Sequence, residues 1–275
     1  MERLEVIFVW VAFLAYASAF VFFLYYLLNK RELLNRIGLA AAVGGFALQT
    51  AAIALRDSRL HHAPVVGAYE SLLTISWAMM VVYLLLEWRT HIKALGLYVL
   101  PLVLVFLGIA WANYEATSAV MPALESDIVV IHVIVIFTAI AAFIVAGGSA
   151  AIYLIEARKL KHRKAGGVLG RLPSLESLDR LTGHAIMFGL PFLSMGIVAG
   201  IIRAQKFRVE SWYTDALVLL AIGAWLVYAA FVYLRYARGW HGRRPAWLAI
   251  AGVVFLFVIR FVAVPYLSDF HTWGS

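Results

Sequence analysis

Residues 128–155 read IVVIHVIVIFTAIAAFIVAGGSAAIYLI and form the longest apolar segment of the chain without a charged side chain. It contains no Asp, Glu, Lys or Arg, and it exceeds the roughly 20 apolar residues that a helix needs to cross the hydrocarbon core of a bilayer. Because backbone groups in lipid have no water to bond, such a segment must satisfy them internally as a helix. These residues therefore predict a transmembrane helix that carries one histidine, His132, near its start.

Seven further apolar stretches have the same character, in a chain with 64% hydrophobic and only 14% charged residues and a mean hydropathy of +0.89. A soluble domain has about half apolar and a quarter charged residues. We therefore expect an all-α fold, a single integral membrane domain over residues 1–275 with eight transmembrane helices. The other seven predicted spans are residues 4–28, 37–55, 69–86, 94–112, 184–202, 216–234 and 246–267.

The distribution of basic residues predicts the orientation of these spans. The connections on one side carry sixteen Lys and Arg against six on the other, and basic residues concentrate on the cytoplasmic side. Both termini are therefore expected outside, and the net charge of +8 reflects insertion rather than nucleic-acid binding. On the inner side, leucines recur every third residue from 172 to 181. This pattern predicts a short amphipathic helix near 173–181 that lies on the membrane surface.

The chain has no cysteine, so histidine is the obvious ligand for a metal or cofactor. Imidazole groups on opposed elements suit the axial positions of haem iron. The predicted topology divides the eight histidines evenly between the two sides, and the outer four can converge on one pocket. The predicted inner histidines are His91, His162, His184 and His241, and the outer ones are His61, His62, His132 and His271.

Arginines on the outer side are the candidates for a charged ligand group such as a haem propionate. Arg260 lies inside the eighth span, where a charge needs a partner. That partner is a ligand carboxylate or an internal one such as Glu70. Arg56, Arg203 and Arg208 lie nearer the predicted outer surface and are alternatives.

Several motifs in order resemble one family, the CcsA/CcmC/HemX superfamily of cytochrome c assembly proteins. They are HAP at 62–64 and YESLL at 69–73 followed by Trp77, IHV at 131–133, LPSLESLDRL at 172–181 and GWHGRRPAW at 239–247. The resemblance runs from about His61 to the C-terminus. It implies an outer haem site in which His132 and His271 are the two external histidines beside a tryptophan-rich loop.

Two departures from that family pattern bear on function. The tryptophan-rich WWD loop is reduced to residues 203–215, which keep Trp212 and Asp215. A membrane-embedded histidine of the seventh helix in CcsA corresponds to Tyr233. The chain therefore looks more like the HemX branch, which the resemblance associates with haem biosynthesis and its regulation through glutamyl-tRNA reductase.

We therefore expect a membrane protein, in the inner or plasma membrane, that binds haem b and acts in haem handling, cytochrome c biogenesis or control of haem biosynthesis. No catalytic residues and no enzymatic activity are expected, because no nucleophile and base pair is visible. A scaffold that docks a cytoplasmic enzyme without haem, and a transporter of haem or another amphiphile, are the alternatives. The expected metal ligands are His132 and His271, and the other cofactor contacts are Arg260, Arg203, His61, His62 and Trp212.

Overall fold

A computed structural model describes residues 2–60, 67–90, 95–114, 127–161, 174–206 and 212–258. Within these ranges all regular structure is helical, which confirms the predicted all-α fold. A 3-10 helix, Trp212–Thr214, precedes the seventh α-helix. The α-helices are α1 (Glu2–Asn29), α2 (Glu32–Leu60), α3 (Gly67–Thr90), α4 (Gly96–Ala112), α5 (Asp127–Lys161), α6 (Leu175–Lys206), α7 (Ala216–Tyr236) and α8 (Arg243–Val258).

Six of these helices are long and apolar enough to cross a membrane, namely α1, α2, α3, α5, α6 and α7. Helix α4 is apolar but has 17 residues, a length of about 26 Å at 1.5 Å per residue. Helix α8 is described for 16 residues, up to Val258. The chain is therefore a multi-pass membrane protein, while the count of eight spans and the outward position of both termini stay predictions.

The amphipathic segment predicted near 173–181 is helical from Leu175, but it is not a separate surface helix. Helix α6 continues from Leu175 to Lys206 without interruption. Leu178 and Leu181 are buried, so the apolar face of this segment packs inside the protein. Gly183, which follows in the same helix, has no Cβ atom and so leaves room for the side chain of Arg235.

The chain divides into two compact units, which are described separately; the single domain over 1–275 stays a prediction. Unit 1 comprises Met1–Ala119 and Ile155–Leu178. In it, α1 packs closely on α2 at Gly45. A Cβ atom there would stand only 2.7 Å from the ring of Tyr16. The hydroxyl of Tyr16 donates to Oε1 of Gln49 at 2.8 Å, and Nε2 of Gln49 donates to the Leu73 carbonyl of α3 at 3.1 Å. Buried polar side chains thus join three helices.

Buried charges add a second link between the same three helices. Arg56 of α2 donates through Nη1 to Glu5 and through Nε to Glu70, both at 2.9 Å, and all three side chains are buried. Arg59, one turn later, donates to the other oxygen of Glu5 at 2.8 Å. Two cations and two anions therefore neutralise each other, and the guanidinium of Arg56 also lies over the ring of Tyr69.

Unit 2 comprises Val120–Leu154 and Asp179–Ser275. Its helices approach closely at glycines: a Cβ at Gly189 of α6 would stand 2.8 Å from the ring of Phe143 in α5. The Phe143 ring stacks in parallel on Tyr228 of α7 at 3.6 Å between centroids. Gly252 of α8 leaves room for the Tyr228 ring in turn. A shared aromatic layer therefore fixes α5, α6, α7 and α8.

Candidate functional site

His132 lies in the second turn of α5 and is half-buried. Its Nδ1 is 2.8 Å from the carbonyl oxygen of Gly196 in α6. A carbonyl oxygen only accepts hydrogen bonds, so Nδ1 carries the proton and donates it. In the described part of the chain this is the one hydrogen bond of the ring, so Nε2 keeps a lone pair that can bind a metal ion. Histidine ligands of metals are held in this way by a carbonyl at the second nitrogen.

The glycines of α6 make the approach of His132 possible. A Cβ at Gly200 would stand 3.0 Å from Cε1 and 3.3 Å from Nδ1 of His132, and a Cβ at Gly196 would collide with Ile136. Because glycines four residues apart share one face of a helix, they form a groove for α5 side chains. The orientation of His132 is therefore set by its hydrogen bond and by this groove together.

Arg203 follows Gly200 by three residues and lies on the same face of α6. It is 5% exposed, and its charge is close enough to act on His132. The structure thus brings together the two predicted site residues that lie in the described parts of α5 and α6. A histidine nitrogen and a guanidinium at one end of a helix pair can bind a metal ion and an acidic group of the same ligand.

Trp212, the third described candidate, lies in the 3-10 helix before α7 and is half-exposed. Its ring meets Tyr213 edge-on at 6.0 Å. Asp215, the acidic residue of the reduced WWD loop, caps α7: its Oδ1 accepts from the backbone N–H groups of Leu217 at 2.8 Å and Val218 at 3.3 Å. The Asp of this loop therefore has a structural role that the sequence pattern did not indicate.

The structure gives less support to the other residues that the sequence analysis considered for a haem site. Tyr233, at the position of the embedded histidine of CcsA, is 59% exposed on α7. Arg56 is engaged by Glu5 and Glu70, so it is not available for a propionate, and Glu70 has Arg56 as its partner. The candidates His61, His62, Arg260 and His271 lie outside the described residues, as does Arg208.

The predicted inner histidines that the structure describes are His184 and His241. His241 is 66% exposed, with Nδ1 at 3.3 Å from Oδ2 of Asp179. Asp179 also accepts from Arg235 at 2.9 and 3.2 Å and from the Gly242 N–H at 3.0 Å. Sequence reasoning missed this cluster around Asp179, because its partners Arg235, His241 and Gly242 lie more than fifty residues away in the chain.

Metal ligation by a larger group of side chains finds no support in the described ranges. Among those residues no group of three or more His, Asp or Glu is placed to hold an ion. A metal in this part of the chain would therefore have at most two such side-chain ligands, which is also the number of axial ligands that haem iron takes.

The chain is a multi-pass helical membrane protein in which α5 carries a histidine oriented by a carbonyl group and α6 carries a buried arginine. The comparisons with known proteins then give the family. Residues 65–270 match the family model described as cytochrome C assembly protein, and this range is most of the chain. The chain belongs to the cytochrome c assembly protein family.

Its relatives include several proteins named cytochrome c biogenesis protein CcsA. The one from Parasynechococcus marenigrum (strain WH8102) is 32% identical over 82% of this chain and 83% of its own length. The one from Synechococcus sp. (strain CC9605) is 30% identical over 87% of this chain and 88% of its own length. That of Guillardia theta is 29% identical, with 77% and 76% covered. The predicted family is thereby confirmed, whereas the HemX-like branch stays a prediction.

Proposed function

We propose that this chain handles haem during cytochrome c assembly, with His132 as one axial ligand of the iron. The observation that carries the proposal is the hydrogen bond from Nδ1 of His132 to the Gly196 carbonyl. It holds the ring in the tautomer whose Nε2 binds iron. Haem, when bound, supplies an iron centre that takes imidazole ligands.

Arg203 supports the same proposal. It is buried on the face of α6 that carries Gly196 and Gly200, and a guanidinium pairs with a carboxylate through two parallel hydrogen bonds. We propose that Arg203 binds a propionate of the haem and that Arg260 is a second such partner. His271 is the proposed second axial ligand, His61 and His62 are alternatives for that position, and Trp212 is a ring contact.

The finer parts of the function are proposals as well. We expect haem b, because the chain has no cysteine for covalent attachment. We expect a location in the inner or plasma membrane, and no bond-making chemistry. Control of haem biosynthesis through glutamyl-tRNA reductase would follow from membership of the HemX branch. Tyr233 supports this branch, because it stands at the position of the embedded histidine of CcsA and is exposed on α7.

The experiment is the visible spectrum of the purified full-length protein, expressed with haem supplied. We expect a Soret band in the wild type that is lost or strongly shifted in His132→Ala. His241→Ala is the matched control, because His241 is exposed and bonded to Asp179, and it should keep the wild-type band. Loss of the band in His271→Ala as well would identify the second ligand, whereas an unchanged band there would favour His61 or His62.

Two results contradict the proposal. A wild-type protein that binds no haem under haem-replete expression would favour the alternative of a scaffold without haem. A Soret band that His132→Ala leaves unchanged would remove His132 from the site. Arg203→Leu tests the propionate partner separately: haem should dissociate more readily, while the position of the Soret band stays close to the wild type because the iron ligands remain.

A further inference from the structure

Unit 1 contains two carboxyl groups that the proposed function does not use, Glu87 near the end of α3 and Glu156 near the end of α5. Glu87 is only 8% exposed. Within the described part of the chain, Oε2 of Glu87 and Oε1 of Glu156 are buried and accept no hydrogen bond. An ionised carboxylate without a partner in an apolar interior is strongly disfavoured, and inside a membrane protein such a group marks a functional site.

Each carboxyl group has a tyrosine beside it. Tyr83 precedes Glu87 by four residues, on the same face of α3, and it is fully buried. Tyr98 of α4 is buried and close enough to Glu156 for an electrostatic interaction. Among the described residues, neither tyrosine hydroxyl has a hydrogen-bond partner. Four polar groups with unused bonding capacity therefore lie in one unit, and we call them the carboxyl–phenol cluster.

The start of α4 lies next to Tyr83 and also carries Tyr98. A Cβ at Gly96 would stand 3.1 Å from the hydroxyl oxygen of Tyr83, and Tyr98 follows two residues later. The charged group that acts on Glu156 is Lys159, one turn further along α5. In the described ranges no charged group acts on Glu87. By the predicted topology, all of these residues lie at the inner end of the unit.

We propose that the carboxyl–phenol cluster is a proton-binding site, in which Glu87 holds the proton and Tyr83 is its neighbouring hydroxyl. A bound proton makes the carboxyl group neutral and gives it an O–H donor, so the buried side chain no longer needs a cation. A metal ion fits less well, because in the part of the chain that the structure describes no group of three or more His, Asp or Glu is placed to hold one. Glu156 and Tyr98 form the second half of the site, nearer to Lys159.

The test uses a hydrophobic carbodiimide, which forms a stable adduct with a protonated carboxyl group and not with an ionised one. Full-length protein in detergent is treated at neutral pH, and the adducts are located by peptide mass spectrometry. We expect an adduct at Glu87, and none at Glu176, which is exposed on α6. Labelling of Glu87 should fall as the pH is raised and the proton leaves.

Infrared spectroscopy supplies the second measurement. We expect a carbonyl band of a protonated carboxyl group in the wild type, which Glu87→Gln removes and Tyr83→Phe shifts in frequency, because one neighbouring hydroxyl is lost while the ring remains. Labelling of Glu87 no greater than that of Glu176 at neutral pH would mean an ionised, paired carboxylate and would overturn the proposal. The wild-type labelling decides this even if Glu87→Gln fails to fold, and neither readout depends on haem.

Discussion

Replacing Asp179 with alanine should be among the most damaging single substitutions in unit 2. Asp179 accepts two hydrogen bonds from Arg235, at 2.9 and 3.2 Å, and a third from the backbone of Gly242 at 3.0 Å. Arg235 is 5% exposed and Asp179 13%. Removing one partner of a buried pair leaves an uncompensated charge and costs about 3–5 kcal/mol.

The thermal unfolding of the purified protein in detergent measures this cost. A loss of 1 kcal/mol lowers Tm by about 2–4 °C in a chain of this size class, so Asp179→Ala should unfold about 10 °C below the wild type. Glu176→Ala, one turn earlier and exposed on the same helix, is the matched control and should differ little from the wild type.

A second variant shows whether the buried charge is the cause. Adding Arg235→Met to Asp179→Ala removes the charge and keeps an unbranched side chain beside Gly183. It should recover most of the lost stability, leaving about 1 kcal/mol for the unbonded N–H of Gly242. The reasoning is refuted if Asp179→Ala unfolds at the wild-type temperature, or if the double variant is no more stable than the single one.

Three further predictions follow from the described contacts. Gly200→Val should displace the His132 ring and weaken haem binding in a Soret titration. Gly200→Ala should have a smaller effect, because its Cβ would stand 3.0 Å from the ring. Equal haem binding by the two variants would contradict this. Asp215→Ala removes the cap of α7 and should cost about 1 kcal/mol, read as a Tm lowered by a few degrees, while Asp215→Asn should keep most of it. Glu5→Ala removes one carboxylate from Arg56 and one from Arg59, and should cost about 3–5 kcal/mol. A wild-type Tm would count against the buried network.

Much of the fold could be predicted from the sequence because lipid leaves the backbone few choices. Residues 128–155 had to form a helix, and α5 spans Asp127–Lys161. The prediction of a separate surface helix near 173–181 was wrong, because an amphipathic pattern does not reveal what covers its apolar face. Leu178 and Leu181 are buried in the protein, and α6 begins at Leu175, about two and a half turns before the span that hydropathy indicated.

The candidate site was less accessible to sequence reasoning. His132 was identified as a histidine near the start of a span, but its acceptor, the Gly196 carbonyl, is a backbone atom with no signature of its own. The sequence predicted Arg56 near the outer surface, whereas the structure buries it between Glu5 and Glu70. Such pairings join residues far apart in the chain, and periodicity along one helix carries no information about them.

The buried pairing of α1 with α2 has a consequence for how the chain enters the bilayer. Glu5 alone would carry an uncompensated negative charge toward the lipid, and Arg56 alone a positive one, so neither helix is well suited to partition by itself. Joined by the short turn at Lys30 and Arg31, the two helices form a hairpin in which Glu5 is already paired with Arg56. The insertion machinery would therefore have to retain α1 until α2 has been synthesised, and release the two helices into the membrane together.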